Sequence, residues 1–137
     1  MLYISYMHAL NIPCKLETSG DWHWGAYKWK NFKLLESKNS IFQDYGIEKD
    51  KEIPFNKEKF NVANHIRALL DMIEAGYFKE AQGMNNDYIC NNKYNLEIFK
   101  KVLMLKENKN FNNINKFMIK EYGKKWAEFL RKENLNV

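Results

Sequence analysis

Two polar residues stand inside a run of aromatics in SGDWHWGAYKWKN, residues 19–31: Asp21 and His23, spaced by one, with Trp22, Trp24 and Trp29 around them. A carboxylate beside an imidazole favours the charged ring and fixes its orientation, which suits general acid–base work. If the stretch is extended, alternate side chains share a face. Asp21, His23 and Gly25 then stand together, and Trp22 and Trp24 fill the core from the other face. Thr18 and Ser19, just upstream, are hydroxyl partners for such a site. The structural alternative is an Asx-turn closed by Asp21 after Gly20, with His23 bonded to a backbone carbonyl.

A second constellation lies in NVANHIRALLD, residues 61–71. On a helix, Asn64, Arg67 and Asp71 form a polar strip, and His65 falls between that strip and the apolar face. An amide, a guanidinium and an imidazole so placed can face a phosphate or a carboxylate, with Arg67 as a two-pronged clamp. Arg67 is one of two arginines beside twenty lysines, so a planar fork has been used where lysine is the habit. A boundary histidine serving only structure is the plainer alternative. A third set, Gln82, Asn85, Asn86 and Asp87, sits in QGMNNDYICNN, residues 82–92. Amides read base edges or hold a substrate, and the same composition also makes an ordinary turn-rich loop.

Other chemistries lack their patterns. His8, Cys14, His23, His65 and Cys90 show no paired ligand spacing, so no metal site is expected. There is no P-loop, dinucleotide fingerprint, nucleophile elbow or H-E-x-x-H, and no cofactor is expected. Cys14 and Cys90 are expected to be reduced and to behave as small hydrophobes.

Composition bounds the class. The chain has 137 residues, 45% of them hydrophobic and 15% aromatic, which fits one globular domain over residues 1–137. Its net charge of +5 is unevenly spread. Residues 1–90 carry eleven basic and twelve acidic side chains, whereas residues 91–137 carry eleven and five. A basic C-terminal third can meet an acidic protein or a phosphate backbone, or it is a solvated lysine face that keeps the protein soluble. The apolar start, MLYISYMHALNIPC, lacks a positively charged leader and is interrupted by His8 and Asn11, so it reads as mature cytoplasmic protein with no membrane span.

The elements that must position these residues are unevenly legible. LYISYM, KLET and DWHWGAYKW have strand-like composition, FKLLES fits a strand or a helical turn, and residues 44–59 read as a solvated loop. Asn61 is placed to cap a helix from Val62 to Ala75, ended by Gly76, with Val62, Ile66, Leu69, Leu70 and Ile73 on one stripe. Asn95 is placed to cap a second helix to Lys106, with Leu96, Phe99, Val102 and Leu103 inward. Asn113 is placed to cap a third to Lys132, buried through Ile114, Phe117, Met118, Tyr122, Trp126, Phe129 and Leu130 and weakened at Gly123. Lys116, Lys120 and Lys124 would share its outer face. The expected fold is α+β: a small irregular N-terminal β portion packed on about three C-terminal helices.

The stretches ALNIPCKLETSGDWH, SIFQDYGIE and NVANHIRALLDMIEAGYFKEAQGMNNDYIC resemble a family of small, largely uncharacterised bacterial proteins. They are taken as toxin–antitoxin components encoded near nucleotidyltransferase-type abortive-infection toxins. The resemblance spans roughly residues 8–130 and implies a role in a two-gene defence or addiction module; it transfers no catalytic residue. The leading expectation is a non-enzymatic partner, similar to an antitoxin, that binds a cognate toxin, another acidic protein or RNA through Lys116, Lys120 and Lys124. The alternative is a small enzyme acting on RNA or a nucleotide. There Asp21, His23 and His65 do acid–base chemistry, and Asn64, Arg67, Asn85 and Asn86 hold the substrate. That alternative requires residues 21–23 to share a cleft with residue 65 or 67.

Overall fold

A computed structural model describes residues 1–135. The fold is α+β, with two small sheets at the N-terminal end and helices after them. Strand β1 (Leu2–Tyr3) pairs antiparallel with β2 (Leu35–Glu36). Strands β3 (Ile47–Lys51) and β4 (Phe60–Ala63) form an antiparallel ribbon. A parallel bridge from Ile4 to Val62 stitches the two pairs side by side. Among the described residues no helix is long and apolar enough to cross a membrane.

The centre is α2 (His65–Ala75), in which every residue from His65 to Ile73 is buried. It packs against α1 (Tyr6–Leu10), α3 (Phe78–Ala81), α4 (Asn95–Leu103) and β4. It starts later than the sequence suggests. Val62 and Ala63 are spent on β4, and Asn64, not Asn61, is the cap, its side-chain oxygen accepting from the Arg67 amide at 2.8 Å. Asn61 instead serves the sheet, its carbonyl accepting from the Ile4 amide at 2.9 Å. Gly76 ends α2 in the left-handed conformation (φ 83°), as its position implies.

The charged segment expected to be a loop contains β3. Its sequence IEKDK suits an edge strand, where charged side chains reach water and discourage further pairing. A register shift between Glu48 and Lys51, with Asp50 at φ 54°, bends the strand. Neither KLET nor DWHWGAYKW is a strand: residues 24–26 form a 3₁₀ turn, and LYISYM divides into β1 and the start of α1.

The helical half follows its apolar spacing more closely. α4 begins at Asn95 itself, after a cap at Tyr94, and ends at Leu103, short of Lys106. Leu96 is 56% exposed, and the inward face is Ile98, Phe99 and Val102. The long third helix is two, α5 (Phe111–Tyr122) and α6 (Lys124–Lys132), parted at Gly123, whose backbone (φ 60°, ψ −132°) no helix contains. Its seven apolar positions are nonetheless all buried. Phe99 collects the rings of Tyr122, Trp126 and Phe129 around it, each within 5.5 Å.

Removing the Asn64 cap by Asn64→Ala is expected to cost about 1 kcal/mol. Asn61→Ala leaves the α2 terminus unchanged. Urea unfolding of the two variants, with amide exchange at residues 66–68, checks which asparagine caps the helix.

Candidate functional site

The polar strip of α2 turns inward instead of towards a ligand. Arg67 is fully buried and Asp71 nearly so. The Arg67 Nε donates to Asp71 Oδ1 at 2.8 Å. Its terminal nitrogens donate to the carbonyls of Gln43 and Tyr45 and to the Tyr3 hydroxyl. The other Asp71 oxygen accepts from the hydroxyls of Tyr3 and Ser5, at 2.7 and 2.6 Å. The guanidinium lies over the Tyr3 and Phe42 rings. A fork is needed here because one cation must satisfy partners in several directions, which an ammonium on a flexible stem does poorly. Arg67 and Asn64 are therefore held by the protein itself, the one in this network and the other at the helix cap.

His65, at the start of the helix, faces a different wall. Its Nε2 lies 2.8 Å from the Ile12 carbonyl oxygen and its Nδ1 2.7 Å from Thr18 Oγ1. Thr18 Oγ1 is also 3.6 Å from Cys14 Sγ. Gly20 makes this packing possible. It sits at φ 72°, and a Cβ there would stand 2.8 Å from His65 Cε1 and 2.8 Å from the Leu10 oxygen. Cys14, Thr18, His65 and Trp22 line one cavity of about 90 Å³. Of residues 21–23, which the enzyme reading requires to share a cleft with residue 65 or 67, only Trp22 lines this cavity with His65; Asp21, His23 and Arg67 are outside its lining.

The aromatic stretch is not arranged as alternation suggests. Trp22 takes φ 65°, and the Ala26 amide reaches back to the His23 carbonyl at 2.9 Å, closing the turn. Trp22 is 73% exposed and Trp24 47%; of the three tryptophans only Trp29 is in the core. Asp21 and His23 do meet, with His23 Nδ1 2.9 Å from Asp21 Oδ1. Asn11 secures them, donating to Asp21 Oδ2 at 3.0 Å and accepting from the His23 amide at 2.6 Å. The hydrogen bond and negative charge of Asp21 raise the His23 pKa above its ordinary 6.5. His23 is outside the lining of the His65 cavity.

The asparagine loop is a helical turn of the wide, π type over Met84–Ile89. Glu121 of α5 holds its start, accepting from the amides of Gly83 and Asn85, and the Asn85 side chain donates to the Glu121 carbonyl. Asn85 is committed to that joint, while Asn86 is exposed. The Tyr88 carbonyl accepts from the Gly20 amide at 2.9 Å, so this turn also backs the cavity.

Lys116 and Lys120 line a groove of about 330 Å³ between α3 and α5, joined there by Lys79. Lys124 does not, because the break at Gly123 ends the shared helical face before it. Phe78 and Phe117 form the apolar wall, with ring centroids 5.6 Å apart. Sequence reasoning misses Lys79, since nothing local marks α3 as a neighbour of α5. Cys14, expected to be a small hydrophobe, is partly exposed, and Cys90 is exposed.

No protein-family model matches the chain, nor does any curated protein or solved structure.

Two outcomes are expected. Arg67→Ala strands the buried Asp71 carboxylate and costs about 3–5 kcal/mol of unfolding free energy; Arg67→Lys recovers only part of it, as urea titration will show. Titrated by proton NMR, His23 has a midpoint above 6.5 that falls in Asp21→Asn. A raised folded-state pKa means that the contribution of the pair to stability is complete below the ordinary histidine value and is lost as pH climbs through the raised one.

Proposed function

We propose that this chain acts by binding rather than by catalysis, as the partner component of a toxin–antitoxin or phage-defence module. Its target is polyanionic: an acidic protein such as a cognate toxin, or RNA. The observation that carries this reading is the α3–α5 groove. Lys79, Lys116 and Lys120 surround an aromatic wall, and the carboxylate of the lining, Glu121, is already engaged by two backbone amides. Cations beside an apolar ring favour a ligand that carries charge and a flat or greasy surface together.

A second reading, a small enzyme acting on RNA or a nucleotide, is supported by the Asp21–His23 pair. Its ring is held on Nδ1 while the side chain is 72% exposed to solvent. It has lost three of its substrate-holding residues, because Arg67, Asn64 and Asn85 are spent inside the fold.

The test is binding to a single-stranded RNA and to an acidic protein ligand over a salt series. Each lysine that meets a phosphate contributes about 0.7 to the slope of log K against log salt on single-stranded nucleic acid. Lys79→Gln, Lys116→Gln and Lys120→Gln combined are expected to flatten that slope by about 2 if RNA is the ligand. Salt-insensitive binding, or binding that the triple variant leaves intact, would refute the groove as the docking site. Turnover of RNA that disappears in His23→Ala would favour the enzyme instead.

A further inference from the structure

Neither the groove nor the Asp21–His23 pair uses the thiol that faces His65. The tautomer of that ring follows from its neighbours. The Ile12 carbonyl oxygen, 2.8 Å from Nε2, can only accept, so Nε2 carries a proton. In the neutral ring Nδ1 is then an acceptor, and the Thr18 hydroxyl at 2.7 Å donates to it. A lone pair of Thr18 is left for the Cys14 thiol, 3.6 Å away. Sulfur, hydroxyl and imidazole thus form a proton path that ends on a buried base. Passing both protons along it gives a thiolate and an imidazolium and leaves Thr18 chemically unchanged.

We propose that Cys14 is a covalent acyl-acceptor site, served by His65 as base and Thr18 as relay, which takes a short, uncharged acyl group from a thioester donor. The lining selects an uncharged group. The cavity measures only about 90 Å³. Leu10, Ile12, Pro13 and Trp22 give it apolar walls, and no Lys, Arg, Asp or Glu among the described residues lines it. Gly20 pressed against the imidazole edge and the Ile12 carbonyl keep the ring from turning away.

The electrostatics agree. Burial alone would raise the Cys14 thiol. The hydrogen bonding and charge of His65, with the Thr18 hydrogen bond, outweigh it and bring the pKa from 9.0 to about 7.

In the transfer, the thiolate adds to the carbonyl carbon of the donor thioester and a new C–S bond forms. The donor C–S bond breaks, and the departing sulfur takes the proton that His65 received. One thioester replaces another, so no electrons are exchanged and no further reactant is consumed. The site is independent of the docking groove, and the Lys79, Lys116 and Lys120 substitutions leave it unaltered.

The experiment incubates the intact folded chain with S-acetyl-N-acetylcysteamine and follows Cys14 and Cys90 separately by peptide mass spectrometry. Cys14 is expected to gain an acetyl group at least ~10-fold faster than the more exposed Cys90, with a rate that rises through a midpoint near the pKa of about 7. Thr18→Val and His65→Gln each slow Cys14 by about 10-fold or more and move its midpoint upward, while Cys90 is unaffected and serves as the internal control. If His65→Gln does not fold, Thr18→Val and the comparison of the two thiols in the parent decide. Equal rates at Cys14 and Cys90, or a Thr18→Val profile matching the parent, would overturn the proposal. So would rapid alkylation of Cys14 by iodoacetamide without acetyl transfer, which would keep the thiolate and reject the acyl class.

Discussion

The buried pair of Arg67 and Asp71 is the interaction on which the rest of the structure depends. Two charges in an apolar interior are costly unless nearly every donor and acceptor is matched. Here the matching is done by distant parts of the chain: Tyr3 and Ser5 from the first strand and the turn after it, and the carbonyls of Gln43 and Tyr45 from the turn before β3. Gly46 lets that turn come close, since a Cβ there would lie 2.8 Å from Arg67 Cβ. The ion pair therefore specifies which loops may lie against α2, a role that apolar packing alone would leave looser.

With α2 fixed, its N-terminal turn becomes the frame for the cavity. His65 is the first residue of the helix, and three upstream groups close on its ring: the Ile12 carbonyl, the Thr18 hydroxyl and the bare backbone of Gly20. Asn11 then ties the Asp21–His23 pair to the same wall. Elsewhere in the molecule, Glu121 does for the π turn what Asn11 does here, using one polar residue to hold two backbone segments together. The two regions meet where the Tyr88 carbonyl accepts from Gly20.

The helical half is legible in the sequence because its apolar residues recur at the helical period and have only one way to be buried together. Ile114, Phe117, Trp126 and Phe129 lie inside even though Gly123 splits the helix that carries them. The N-terminal half resists for the opposite reason. Its backbone takes positive φ at Tyr6, Trp22 and Gln43, residue types that do not mark a bend in a sequence. The same effect hides the site. Asn64, Arg67 and Asp71 are visible as a polar strip, but the strip faces partners more than twenty residues away in the chain, and nothing local shows that it is covered. Cys14, Thr18 and His65 are brought together across 47 residues by contacts that leave no periodic trace.

The stitching of the first strand also sets a schedule for folding. Residues 2–5 find their partners at Leu35–Glu36, at Asn61–Ala63 and at Asp71. On a growing polypeptide these residues are thus placed late, since they must wait until α2 has been synthesised. Such long-range pairings slow folding relative to local helix contacts, and they leave this apolar segment unpaired in the meantime, the state in which nascent chains associate wrongly. Helices α5 and α6, by contrast, are neighbours in sequence that pack on each other and can pair as they emerge.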